Sequence, residues 1–170
     1  AYHSFQPDRN PQVQAVNFIA NVKLSPGDLP PAVDIEEAKG KSKANVVSGL
    51  KEFLTLIEEH YKVKPVIYSN INFIEDYLAD DFKDYNFWVS HYTLDRLDID
   101  DDSLKWLFWQ HSNKSDILGI NGNADVDVFN GSRLQFVTSG STTYSRPEIR
   151  CWHSRPDSCR PAMPRRCGRR

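Results

Sequence analysis

LPPAVDIEEAKG, residues 29–40, begins like a buried strand and ends in three carboxylates, Asp34, Glu36 and Glu37. Acidic side chains are seldom buried without a partner. Side chains alternate along a strand, so Ala32, Asp34 and Glu36 share one face of AVDIE, and Val33 and Ile35 the other. The apolar pair can pack on helices. The acidic pair then points to the interior or mouth of a barrel, about 7 Å apart at the backbone from a rise of ~3.3 Å per residue. Glu37 falls on the opposite side and reads as a loop carboxylate.

The neighbouring sequence supplies the rest of such a fold. AYHSF (1–5) is a short strand. Asp8 or Asn10 can cap a helix with Pro11 in its first turn, and PQVQAVNFIANVK places Ala15, Phe18, Ile19 and Val22 on one face. After the turn SPGD and the strand PAVDIE (31–36), a long helix is expected over 43–61, with Val46, Leu50, Phe53, Leu54, Ile57 and Tyr61 as its buried stripe. KPVIYS (64–69) reads as a strand, NFIEDYLA (72–79) as a short helix and FWVSHY (87–92) as a strand. WLFWQHS (106–112) and ADVDVF (124–129) follow, with Gly119 and Gly122 marking the last turn. Alternating strands and helices imply a parallel α/β sheet or barrel. Helices fade after residue 79, so loops join the later strands. In such folds the functional site lies at the C-terminal ends of the strands.

Composition fits one domain. A chain of 170 residues is long enough for a real core, and 39% hydrophobic with 12% aromatic residues excludes wholesale disorder. No apolar run approaches a membrane span. The net charge of −2 hides a split. Residues 1–140 carry 13 Lys+Arg against 21 Asp+Glu, whereas residues 141–170 carry 8 Arg against 2 acids. The acidic body is no nucleic-acid binder. Cys151, Cys159 and Cys167 all lie in the basic, Pro-rich end. The domain is therefore set at 1–138, and 139–170 is expected to be a disordered tail foreign to the fold. A basic arm for an anionic polymer and a metal or disulfide module are the other readings of it.

Two inward carboxylates repel, so the one in the drier spot keeps its proton longer while the other stays ionised. A proton donor beside a fixed negative charge suits glycoside hydrolysis, where a cation-like sugar forms as the leaving oxygen is protonated. A bare D-x-E also fits a strand end whose acids face water or cap a helix. Other strand ends weigh against that bland reading. Tyr68 ends one strand, Trp88 and Tyr92 share a face of the next, Trp109 and Gln110 sit in the following one, and Asp125 and Asp127 share a face of the last. Flat rings for pyranoses and polar groups for hydroxyls are what a sugar site needs. LDRLDIDDD (94–102) reads as a solvated loop, lacking the glycine turn and terminal Glu of a calcium loop. His3, His91 and His111 show no metal-ligand spacing, and no glycine-rich phosphate loop is present.

AYHSF, NFIANVK, GDLPPAVDIE, KPVIYS, FWVSHY, FWQHS and GINGNADVDVFNG, in that order, resemble the lysozymes of glycoside hydrolase family 25 over residues 1–132. The resemblance implies a modified TIM-like β/α barrel. It implies a muramidase that cleaves the β-1,4 bond between N-acetylmuramic acid and N-acetylglucosamine, with peptidoglycan glycan strands as partner. It needs no cofactor or metal and works outside the cell, secreted or phage-borne. The family's general acid falls on Glu36. Its substrate-orienting aspartate falls on Asp34, with the substrate's acetamido group as a candidate nucleophile, and a further aspartate falls on Asp125. Tyr2, Tyr68 and Trp109 match groove aromatics, and Trp88, Tyr92 and Gln110 join them as candidate substrate contacts. Family members carry an Asp-containing strand, a second strand and a helix ahead of the AYHSF segment. Their absence here leads to the expectation of an incomplete barrel lacking its first strands, with weak or no activity. Alternatives from the same residues are another hexosaminidase of chitinase type and a non-catalytic glycan-binding remnant.

Overall fold

The computed structural model describes residues 1–93, 97 and 104–138. The tail from 139 onward, with its cysteines and basic run, lies outside the described residues, as does most of the acidic loop. Leu97 of that loop is described, and it is buried in the core.

Short apolar segments form the centre. Strands β1 (Tyr2–Ser4), β2 (Ala32–Asp34), β3 (Val66–Asn70), β4 (Asn86–Ser90), β5 (Trp106–Ser115) and β6 (Ala124–Phe129) make one sheet in sequence order. The first five run parallel, and β6 returns antiparallel to β5. Parallel neighbours need crossovers, which helices α1 (Pro11–Asn21) and α2 (Lys43–Tyr61) supply. The antiparallel return needs only a turn, and Gly119 and Gly122 adopt positive φ there, where a side chain would be strained.

Helix starts follow the capping chemistry. Asn10 caps α1, its side chain accepting from the Val13 amide at 3.0 Å, while Asp8 does not take that role. Ser42 caps α2. Asn10→Ala is expected to cost about 1 kcal/mol of stability, read as a lower midpoint in denaturant unfolding. The expected α2 stripe is buried from Val46 to Ile57, and Tyr61 is half-buried with its hydroxyl donating to the Val22 carbonyl. These helices cover the sheet face that carries Val33, Ile35, Ile67, Phe87 and Val89, all nearly inaccessible. Phe53 sits at the junction, its ring against Phe5, Phe18 and His3.

The opposite face is where alternation places polar and aromatic groups. One register row runs Ser4, Asp34, Tyr68, Trp88 and Phe108 across five strands. An irregularity between Phe87 and Trp88 brings Phe108 into that row. Tyr2 of β1 and Asp125 of β6 line one cavity, so the sheet curls until its end strands share a concave side.

Several elements differ from expectation. β2 ends at Asp34, leaving Glu36 just past the strand. The short helix is three residues of α3 (Ile71–Phe73), capped by Asn70, running on into a π-helical turn, Ile74–Leu78, that buries Ile74 and Leu78. β4 ends at Ser90, so Tyr92 lies beyond it. A further short helix, α4 (Arg133–Thr138), follows β6 and sets Phe136 against Phe108 and Phe129.

Candidate active site

The register row explains how the site assembles. Asp34 is held at the end of β2 by its backbone: its carbonyl accepts from the Phe5 amide at 2.8 Å, and the next amide, of Ile35, donates to the Tyr68 carbonyl at 3.0 Å. The Ser69 hydroxyl closes the far side by donating to the Ile35 carbonyl. Ile35 is thereby fixed into the core, and alternation turns Asp34 and Glu36 to the concave side together. Both line the same cavity of about 200 Å³, with Tyr2, Tyr68, Trp88, Gln110 and Asp125.

That volume suits one ring. A cavity of about 150 Å³ takes a six-membered ring such as benzene. Tyr68 and Trp88 meet edge-on with ring centres 5.2 Å apart, a geometry that fixes both rings. The Trp88 indole N–H donates to Asp127 Oδ1 at 2.6 Å, which sets the orientation of the indole plane.

A second cavity adjoins the first, lined by Ser4, Phe5, Gln6, Asp34, Glu36, Glu37 and Lys39. Asp34 and Glu36 belong to both, so the carboxylate pair stands at the boundary between an aromatic compartment and a polar one. Glu37 is more than the outward loop carboxylate expected of it. The strand ends before it, alternation lapses, and it lines the polar compartment while ion-pairing with Lys39.

The two acids differ in surroundings. Asp34 is half-buried and Glu36 exposed. Burial pushes the Asp34 carboxyl up to about 6, the negative charge of Glu36 adds to the rise, and a hydrogen bond with Ser4 partly offsets it. On the β6 side, burial also raises Asp127; the Trp88 N–H pulls it back and Asp125 pushes the same way as burial. Burial raises the Tyr68 phenol, which therefore stays protonated at neutral pH.

Of the nine residues singled out from sequence, seven meet in the aromatic cavity: Tyr2, Asp34, Glu36, Tyr68, Trp88, Gln110 and Asp125. Trp109 is not among the described lining residues. It is consecutive with Gln110 on β5, so it points to the other face, is 8% exposed, and donates its indole N–H to the His91 carbonyl at 2.9 Å. Tyr92 does not line the cavity either; its hydroxyl reaches Gln110 from outside. Sequence reasoning missed Ser4, which meets Asp34 across the β1–β2 register, and the partnership of Asp127 with Trp88. Only the shared face of Asp125 and Asp127 pointed towards the latter. Among the described residues no group of three or more His, Cys, Asp or Glu is placed to hold a metal ion, and His3 is engaged with Gln14 and stacked on Phe53. No helix among them is long and apolar enough to cross a membrane.

Comparison with known proteins places this geometry. YegX, an uncharacterized protein of Escherichia coli, is 39% identical over 142 residues, covering 82% of this chain and 52% of its own length. The chain thus spans about half the length of that curated relative. An autolytic lysozyme of Clostridium acetobutylicum is 28% identical over 129 residues, covering 75% of this chain and 38% of that protein. A family 25 glycosyl hydrolase from Bacillus anthracis superposes with a TM-score of 0.73 at 29% identity, over 82% of this chain and 67% of that one. Residues 1–120, which hold every strand through β5 and both members of the D-x-E pair, match the profile of glycosyl hydrolases family 25, and this chain belongs to that family.

Proposed function

We propose that the protein is a peptidoglycan muramidase, hydrolysing the β-1,4 bond between N-acetylmuramic acid and N-acetylglucosamine outside the cytoplasm. The observation that carries this reading is the position of Asp34 and Glu36, astride two adjoining compartments, one of them floored by aromatic rings. A glycosidic bond joins two rings and breaks between them, so its catalytic groups belong at such a boundary. The curled, mostly parallel sheet with helices on its outer face is, in this reading, of the modified β/α-barrel kind.

In the mechanism Glu36 gives its proton to the glycosidic oxygen as the bond to the anomeric carbon breaks. The carbon left behind gains cation character, which the ionised Asp34 stabilises from the drier side of the cleft. A water then adds at the anomeric carbon and its proton returns to Glu36. Tyr68 and Trp88 offer faces to the sugar, Tyr2 closes the cavity from β1, and Asp125 adds a polar contact from β6.

The dryness of Asp34 favours a second reading, in which Asp34 holds the proton and Glu36 is the anion. The sign of the pH dependence separates them. With Asp34 as the required anion, kcat/KM, which reports the free enzyme, rises as pH passes upward through about 6. With Asp34 as the donor it falls over the same interval. We expect the rise, measured on purified peptidoglycan.

Calorimetry with glycan fragments, run beside a cell-wall lysis assay, tests the enzyme reading. Binding with turnover supports it, and binding without turnover under any condition supports a glycan-binding remnant instead.

A further inference from the structure

Gln110 is 5% exposed, on the inner face of β5 at the floor of the aromatic cavity. Its side-chain oxygen accepts two hydrogen bonds, from the Tyr68 hydroxyl at 2.9 Å and from the Tyr92 hydroxyl at 2.6 Å. Two donors fill both lone pairs of that oxygen and fix which end of the amide faces the protein. The amide nitrogen is left with two N–H groups. No described residue accepts from them, and no described buried side-chain nitrogen lacks a partner. The nitrogen therefore opens onto the cavity that Gln110 lines. An amide held this way is a donor only, and its complement is an oxygen with a free lone pair.

We propose that the Gln110 amide donates to an acceptor oxygen of the N-acetylhexosamine held in the aromatic cavity, and that Tyr92 is a positioning residue that acts through Gln110. This rests on the glycan reading of the cavity. It assigns Tyr92 a part that its place outside the cavity allows: it touches no sugar but sets the polarity of a group that does. Tyr68 performs the same service from inside, and its hydroxyl stays protonated for it.

The test is calorimetry with a purified tetrasaccharide of alternating N-acetylglucosamine and N-acetylmuramic acid, in a Glu36→Gln background that prevents turnover. Gln110→Glu keeps an oxygen for both phenols and exchanges the N–H donors for a second acceptor oxygen, which carries negative charge when ionised. It is expected to weaken binding about 10- to 100-fold, read at a temperature below the variant's own thermal midpoint. Tyr92→Phe is expected to weaken binding by a smaller factor in the presence of Gln110 and to have no further effect in Gln110→Glu, because residues acting as one unit do not add. Unchanged binding in Gln110→Glu overturns the proposal, as does an equal effect of Tyr92→Phe with and without Gln110. If the Glu36→Gln background binds no glycan, the glycan reading fails and this proposal with it. If that background binds and Gln110→Glu matches it, this proposal alone fails.

Discussion

Glu36→Gln is expected to lower the turnover of peptidoglycan by about 10²- to 10⁴-fold, the range that general acid catalysis contributes. The substitution changes little else. Glu36 is exposed and no described residue forms an ion pair or hydrogen bond with its side chain. Glutamine has the same shape and removes the transferable proton, together with the negative charge that adds to the rise at Asp34. The thermal midpoint should stay where it is, since exposed positions away from caps and networks shift stability by about 0.5 kcal/mol or less. Single-turnover rates and a melting curve on the same preparation check both halves. Full turnover by the variant would mean that another group protonates the leaving oxygen.

Asp34→Asn is expected to cost about 10²- to 10³-fold in kcat, the loss seen when one preorganised electrostatic group is removed from a charged transition state. Its effect on stability should run the other way. The folded-state pKa of Asp34 lies near 6, above the ordinary value of 3.8. The folded protein therefore holds this proton more tightly than the unfolded chain, and stability from this group is lost as pH rises from about 3.8 to about 6. Asparagine does not titrate, still accepts from Ser4, and does not repel Glu36. The variant should thus gain stability relative to its parent as pH rises through that window. Melting curves at pH 4 and pH 7 measure the gain. A variant less active and also less stable at neutral pH would show that Asp34 holds the fold rather than the transition state.

Loss of rate with gain of stability is the expected mark of a group placed for chemistry. Within AVDIE the apolar residues that fix the strand and the acids that occupy the cleft alternate on one backbone. That alternation was legible because Val33 and Ile35 are as hydrophobic as Asp34 and Glu36 are polar, leaving one way to orient the segment. Helix α2 was legible end to end for a similar reason: its buried stripe keeps helical spacing from Val46 to Ile57. ADVDVF matched β6 residue for residue.

The misreadings share a cause as well. In the run WLFWQHS nearly every residue is aromatic or amphipathic, so pattern alone does not say which face is inner. Trp109 and Gln110 cannot both face the cleft, and Gln110 takes that place while Trp109 packs into the core. Tyr92 was placed on a strand that stops two residues earlier, because nothing in FWVSHY marks where the strand ends, and the His91 amide still donates to the Gln110 carbonyl beyond it. Glu37 follows the end of β2, where alternation no longer governs direction. Ser4 and Asp127 act through partners on other strands, Asp34 and Trp88. Such partnerships depend on register, which the pairing of whole strands decides and a single chain does not display.

The most direct test of the central claim, that Asp34 and Glu36 break the bond on the reducing side of N-acetylmuramic acid, is to identify the new reducing ends released from purified peptidoglycan. Borohydride reduction followed by mass spectrometry distinguishes the two sugars. Reducing N-acetylmuramic acid, released by the parent protein and absent with Glu36→Gln, is the predicted result. Reducing N-acetylglucosamine, or equal release by parent and variant, would contradict it.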